Sequence, residues 1–463
     1  MGIGVSRKQR VFAVVESTVG TIVFPATADF IRPAGDAVLN QNPGFTDSEE
    51  KQDTLDVLDR FRNAVPPGEF TLPMYLRTVA NYATPQGDIL FQSWQGGVNP
   101  TTAGSLASGV LDTHSQTGAT ISLITGGTFP EVGVIQVGTE EIYYGAMATT
   151  ASSDKVRITD CTRGYRSTTT ASHASGDTVD LLSRWYPQDT DSPSFSLWVE
   201  SDHFTQGLAG CSVNNAVLGV DNEGAVNLTF TGQGTEMVWA GRTQLAAHAL
   251  ASTGGGATWA TVDNASLFSV GAYIWNETAP DSNSGAGHII TAVNATDNTI
   301  KFTASTTNTS WATDDYICGY LPEDVTVLGT VVESRNTDIE LDGVSATIKN
   351  TDFTFDVPKE YITDEVGTTY PSDYIENQRS IMADLDLYFR EANAAYFKEG
   401  FEGNDVSFWA RFGGNAGRRL ELWMPRCKLE VPTINFTAPA INLTIPLKAL
   451  GTDGEDSCQI ILT

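Results

Sequence analysis

Apolar and polar residues alternate at every second position through much of this 463-residue chain, and few folds accommodate that pattern. From 380 to 389, Ile381, Ala383, Leu385, Leu387 and Phe389 interleave with Met382, Asp384, Asp386 and Tyr388. Successive side chains on a strand point to opposite faces, so one set is buried and the other is wet. The pattern returns in Val226, Leu228 and Phe230 against Asn227, Thr229 and Thr231, and in Phe353, Phe355 and Val357 against Thr354 and Asp356. It appears again in Ile441, Leu443, Ile445 and Leu447. These segments read as half-solvated antiparallel strands. The 43 glycines and 19 prolines are dispersed among Thr, Asn, Ser and Val, as the turns of an all-β chain require. Two helices are expected, Gly87 to Trp94 and Arg390 to Phe401, each packed on a sheet. In the second, Phe389, Tyr396, Phe397 and Phe401 fall near one side, and Gly403 ends it.

Two stretches, 106–182 and 246–321, are Gly/Thr/Ser-rich and resemble each other in order though little in identity. Each has a Phe shortly before a Gly (Phe129 and Gly133, Phe268 and Gly271), two strands, a polar turn and a late acidic strand. They read as a duplicated β module of about 75 residues, inserted into a host body. The body then consists of 1–105, 183–245 and 322–463. The expected fold class is all-β with a flanking helix, a β-sandwich or partial barrel, plus two inserted small β modules.

The charge balance narrows function. With 27 Lys+Arg against 56 Asp+Glu, the net charge is −29, and a grip on nucleic acid by clustered cations is excluded. No run of 18 apolar residues exists to span a membrane, and MGIGVSRKQRVFAVVES has no apolar signal region or small-residue cleavage site. A soluble protein made in the cytoplasm is expected, without membrane insertion. The five cysteines, Cys161, Cys211, Cys318, Cys427 and Cys458, include no C-x-x-C pair, so neither a disulfide framework nor a zinc site is indicated.

Motifs for chemistry are equally sparse. The glycines of GGNAGRR at 413–419 lack phosphate-loop spacing and read as a hairpin turn. His114, His173, His203, His248 and His288 stand too far from one another to form ligand pairs. Gly-x-Ser-x-Gly is absent. Asp189 and Asp191 sit in a polar segment without a calcium-loop pattern. Carboxylate pairs such as Asp384/Asp386, Glu140/Glu141 and Asp314/Asp315 are what 56 acids produce by coincidence. No catalytic residue, metal ligand or cofactor is expected.

The segment 40–76 differs in character. It is acidic and polar, yet carries Phe45, Leu55, Leu58 and Phe61, with Glu49 and Glu50 in its first half and Pro66 and Pro67 before a strand. It is either a surface loop or an extended hairpin arm whose apolar residues are covered by another subunit, and the arm is the reading adopted.

RVFAVVESTVGT, FTDSEE with LDRFRNAVPPGEFTLPMYL, and NNAVLGVDNEGAVNLTFTGQGTEMVWAG carry a wider resemblance. So do VVESRNTDIELDG, YPSDYIENQRSIMADLDLYF with REANAAYFKEG, and LELWMPRCKLEVP with INLTIPLKAL. In these the chain resembles the major tail tube proteins of tailed phages and related viruses. The implied fold is similar to that of the type VI secretion tube protein. The resemblance implies a virion tail location, six copies closing into a ring, and rings stacked into a tube through which genomic DNA passes without specific binding. Its implied partners are further copies, tape-measure and tail terminator proteins, and a sheath protein where the tail contracts. The two modules would decorate the exterior. Asp384 and Asp386, with Asn227, Thr229 and Thr231, are the candidates for the lumen, where carboxylates and hydroxyls offer phosphates no partner; the exterior is their alternative placement.

Two other classes compete. Tyr143, Tyr144, Trp275 and Trp311 of the modules could stack on sugar rings in an adhesion role, and Asp384 with Asp386 could serve a polysaccharide-degrading enzyme. The acidity has a second explanation as well, solubility in a high-salt, even archaeal, host. On that explanation, sedimentation at falling ionic strength shows assembly weakening; a polymer equally stable at low salt contradicts it.

Overall fold

Alternation in sequence becomes alternation in burial. A computed structural model of the chain describes residues 8–51, 56–57, 59–79, 85–95, 104–106, 119–124, 132–149, 155–165, 168–174, 176–188, 192–202, 204–221, 224–246, 257–279, 287–303, 311–323, 329–414, 419–437, 440–451 and 456–462. It is mostly β-strand, with two α-helices.

The main sheet is antiparallel. Its hydrogen bonding runs from Val38–Asn40 through Gly68–Tyr75, Asn227–Gly234, Phe204–Val220, Asn350–Asp356 and Ser380–Tyr388 to Ala440–Ala449. There it forks. Thr433–Thr437 pairs with the first half of Ala440–Ala449, while Leu420–Leu429 pairs with its end and leads on to Asp405–Phe412 and Thr337–Leu341. Register places Leu228, Leu218, Phe353, Ala383 and Leu447 side by side across five strands. All five are buried in the main core.

The helix Asp88–Gln95 adds Leu90, Phe91 and Trp94 to that core, with Phe91 stacked on Trp185 at 4.7 Å and Trp94 edge-on to Phe355 at 4.2 Å. Lys359 pins it to the sheet: its buried ammonium donates to the Ser93 carbonyl at 2.7 Å and to the Ser212 hydroxyl, and lies 3.4 Å from Glu376. The second helix, Ala395–Glu402, ends at Gly403, whose φ of 66° suits glycine. It only half-buries Tyr396 and Phe397 against the core. Phe401, expected on their side, is instead 84% exposed.

The other half of Phe204–Val220 bends away to pair with Phe195–Ser201 and Met237–Ala240, and Phe195–Ser201 pairs with Gln9–Val15. The bend is at Gly210, with φ of 60°, where an added Cβ would meet Thr235 Oγ1 at 2.6 Å. Glu16 caps it. Its buried carboxylate accepts from the Gly210 and Gly20 amides at 2.8 and 3.0 Å and from Ser196 and Ser194 at 2.6 and 3.0 Å.

The stretches 106–182 and 246–321 largely coincide with two separate sheets, of seven strands from Gly104–Leu106 to Thr178–Leu181 and of six from Thr243–Gln244 to Tyr316–Gly319. Their pairing schemes match. In the first module, Gly104–Leu106 joins Ala119–Ile124 and Thr178–Leu181, Gly133–Val137 joins Thr178–Leu181 and Glu140–Tyr144, and Lys155–Cys161 joins Ala119–Ile124 and Ala146–Thr149. In the second, Thr243–Gln244 joins Tyr316–Gly319, with a bridge from Leu245 to Val262 beside Ala257–Thr261. Tyr273–Asn276 joins Tyr316–Gly319 and His288–Asn294, and Thr299–Thr303 joins Ala257–Thr261 and His288–Asn294. The single strand His288–Asn294 does what Glu140–Tyr144 and Ala146–Thr149 do on either side of Gly145.

Their attachment differs. The second module shares a core with Phe12, Phe30, Trp198, Val238 and Ala240 of the body, whereas the first has a core of its own around Ile135, Ile142, Ile158 and Val179. Glu140 locks that first module. Its buried carboxylate accepts from Arg163 Nε and Nη2 at 2.6 and 2.7 Å, from the Gly164 and Ala171 amides at 3.0 Å, and pairs with His173 Nε2 at 2.8 Å. Burial pushes the Glu140 carboxyl up, but Arg163, Ala171, His173 and Gly164 together outweigh it and hold the pKa at about 2.

Glu140→Ala strands a buried guanidinium and is expected to cost about 3–5 kcal/mol, read by urea unfolding. The wild-type contribution is complete above the ordinary carboxyl value of 4.5 and is lost as pH falls from there through about 2. Acid titration of the unfolding midpoint checks this, with Glu140→Gln flattening the slope in that window.

Candidate functional site

The face of the main sheet opposite its core carries both groups of residues singled out as lumen candidates, among exposed Val38, Tyr75, Met382 and Tyr388. Asn227, Thr229 and Thr231 alternate with the buried Leu228 and Phe230, and Asp384 and Asp386 alternate with the buried Ala383, Leu385 and Leu387. Register ties the groups together. Asn227 pairs with Gly219, Gly219 with Asp352 and Asp352 with Asp384; Thr229 pairs with Val217, Val217 with Thr354 and Thr354 with Met382. Paired residues share a face, so these hydroxyls, amides and carboxylates lie on one surface across four strands, with Val217 and the exposed Met382 among them.

That surface is not neutral. Asp352 and Asp384 stand directly opposite each other, both exposed. Asp386 accepts from the Thr444 hydroxyl at 2.5 Å. A small cavity of about 80 Å³ separates Asp352 and Asp384 from Glu430 and Lys448.

At one margin of this sheet Thr433–Thr437 pairs with Ala440–Ala449 and with no other strand among the described residues. Its apolar side chains continue the core face past the end of the core, since Ile434 pairs with the buried Leu443, and Phe436 with Ile441. Phe436 is 79% exposed, and Ile434, Ile441 and Phe389 are exposed beside it. The alternation that predicts burial of Ile441 and Phe389 is therefore correct in phase and wrong in outcome: nothing described in this chain covers them.

The segment 40–76 divides. Gly68–Tyr75 is a strand of the main sheet, so the projecting part ends before it. Phe45–Asp47 pairs with Arg60–Arg62 as a hairpin in which all six residues are exposed. Phe45 and Phe61 fall on opposite faces of it, each about half exposed at 50% and 53%. Arg60 lies over the Phe45 ring at 5.2 Å and pairs with Asp47 at 3.0 Å. Glu49, Glu50 and Pro66 are exposed and Pro67 is half-buried. Leu55 and Leu58 lie outside the described residues, as do Asp189, Asp191, His114, His203, His248 and positions 415–418 of the glycine-rich turn.

The other candidate groups are dispersed. Tyr144 and Trp311 are fully buried, Trp275 donates to Cys318 Sγ at 2.9 Å, and Tyr143 packs against Tyr165 and Trp423, so these four form no sugar platform. Glu140 belongs to its ion pair, and Asp315 accepts from the Asn276 side chain and the Ala312 amide, both at 2.7 Å. His173 sits on Glu140 and His288 on the Thr303 carbonyl. All five cysteines are free and buried. Among the described residues no cluster of three His, Cys, Asp or Glu side chains is placed to hold a metal ion, and no helix is long and apolar enough to cross a membrane.

No protein-family model matches this chain, and no curated protein matches it in sequence.

Sequence reasoning missed Asp352 and the apolar margin. The partner of Asp384 is a matter of register, which no single strand reveals; the margin was visible in the matched runs TINFT and INLTI, whose apolar phase gives no sign of where the core stops. Asp384→Asn removes a like-charge cross-strand pair and is expected to stabilise the monomer by ~0.2–1 kcal/mol. Thermal unfolding at low salt reads the gain, which shrinks as salt is added.

Proposed function

We propose that this chain is a structural subunit that polymerises with its own copies, as the major tail tube protein of a tailed virus does. The observation that carries this reading is the single sheet that bears acids and hydroxyls on the face opposite its core and is unfinished at its apolar margin. An edge strand with unpaired backbone groups and exposed Phe436 is an aggregation hazard in a monomer and a joint in an assembly. Head-to-tail contact between one margin and a different surface of the next copy is heterologous; it closes into a ring if the rotation closes, and rings in contact give a tube. Six copies per ring is the count that the resemblance implies.

With the polar face turned inward, Asp352, Asp384, Asp386, Asn227, Thr229 and Thr231 would line the bore. A duplex sliding past this face meets mostly carboxylates and hydroxyls, with Lys448 beside Asp352 and Asp384, which suits ejection of genomic DNA without specific binding. The hairpin at Phe45 and Phe61 would reach a neighbouring copy. The two modules would decorate the exterior. Tape-measure and terminator proteins, and a sheath where the tail contracts, would be its further partners.

Negative-stain electron microscopy of the concentrated protein is expected to show tubes with a central channel. Phe436→Asp is expected to abolish them while leaving circular dichroism and melting unchanged. A chain that stays monomeric at high concentration in every ionic condition overturns the reading.

A further inference from the structure

A groove of about 400 Å³ lies where the first module meets the body, and none of the chemistry above uses it. Its floor is two tryptophans. Trp409 and Trp423 are directly paired across Asp405–Phe412 and Leu420–Leu429, on the face opposite the buried Phe408, Ala410 and Leu422. Tyr165 of the module forms one wall, and Glu340, Ser407 and Arg411 supply polar groups.

The aromatic floor is held in place from behind. Trp409 Nε1 donates to Glu421 Oε2 at 2.8 Å, and Glu421 is fully buried. Trp423 is braced edge-on by Tyr143 at 5.6 Å, and Tyr143 packs in turn against Tyr165 at 5.4 Å. Arg411 lies over the Trp409 ring at 5.2 Å and is bound by Asp338. At one end the Asp342–Gly343 turn, with φ of 51° and 72°, leaves nothing within 4 Å of where a Gly343 Cβ would sit. The groove is concave, half-buried, and open at that end.

We infer that this groove binds a neutral saccharide. Trp423, flanked by Tyr165 and by Trp409 under its Arg411, gives the groove aromatic surface of the kind that stacks on the C–H face of a pyranose. The Glu340 carboxylate and Ser407 hydroxyl accept and exchange hydrogen bonds with ring hydroxyls, as the few convergent polar groups of a small-ligand site do. The volume lies within the range of such sites. Charge selects the class. Asp338 already neutralises Arg411, Glu340 has no ion-pair partner among the described residues, and the chain carries −29, so sulfated or carboxylated sugars and nucleic acid are repelled. This inference does not rest on the assembly reading. It also places sugar recognition on residues other than Tyr144, Trp275 and Trp311, which the fold uses elsewhere.

Tryptophan fluorescence of the full chain, titrated with methyl glucoside, methyl mannoside, methyl galactoside and N-acetylglucosamine, tests it. At least one is expected to give a saturable change. Trp423→Ala and Glu340→Gln are each expected to weaken that binding by about tenfold or more, with melting unchanged for Glu340→Gln. Calorimetry on Glu340→Gln, which keeps both indoles, guards against misfolding of the tryptophan variant. The inference is overturned if none of the four saturates, if binding survives Glu340→Gln undiminished, or if glucuronate or a short oligothymidylate binds as tightly as the neutral sugars.

Discussion

A row of apolar side chains, Leu228, Leu218, Phe353, Ala383 and Leu447, runs across five hydrogen-bonded strands, and the parity of that row governs the rest of the molecule. Side chains alternate with a period of two, so a slip of one residue in any strand would turn its apolar set to water and its acids to the core. Burying Asp352, Asp384 or Asp386 without a partner would cost far more than any turn could offset. The core and the acidic face are thus one constraint seen from two sides. The helix Asp88–Gln95, with Trp94 against Phe355, seals the apolar side and leaves the polar side open.

Much of this was legible in sequence because period-two patterning is local. The strands at Asn227–Gly234, Asn350–Asp356, Ser380–Tyr388 and Ala440–Ala449 follow from it, and the two helices and the Gly403 stop follow from equally local helical spacing and a terminal glycine. Long-range facts were not legible. No local signal tells that Asp352 faces Asp384, that Phe401 points away from Tyr396 and Phe397, or that Tyr144 and Trp311 are core while Trp409 and Trp423 are not. Each depends on which distant strand lies alongside. The hairpin arm was visible as a polar segment with stray aromatics, but its end was not, because Gly68–Tyr75 reads the same whether it continues an arm or enters a sheet.

The two modules show how far pattern outlasts identity. Their strands pair in the same scheme, yet one is locked by Glu140 and Arg163 and the other borrows Phe12, Trp198 and Val238 from the body. A pairing scheme needs only alternation and turns; the interior that fills it can be an ion pair or a shared apolar layer. That freedom is what lets one module form a groove with Trp409 and Trp423 while the other shares its core with the body.

The central claim is that the margin at Thr433–Thr437 is finished by a second copy. Hydrogen exchange of its amides, followed from dilute to concentrated protein, tests this most directly. The account predicts fast exchange of those facing away from Ala440–Ala449 when dilute, and protection that rises with concentration while Leu385 and Leu387 stay protected throughout. Amides at that margin that exchange at one rate at every concentration would contradict it.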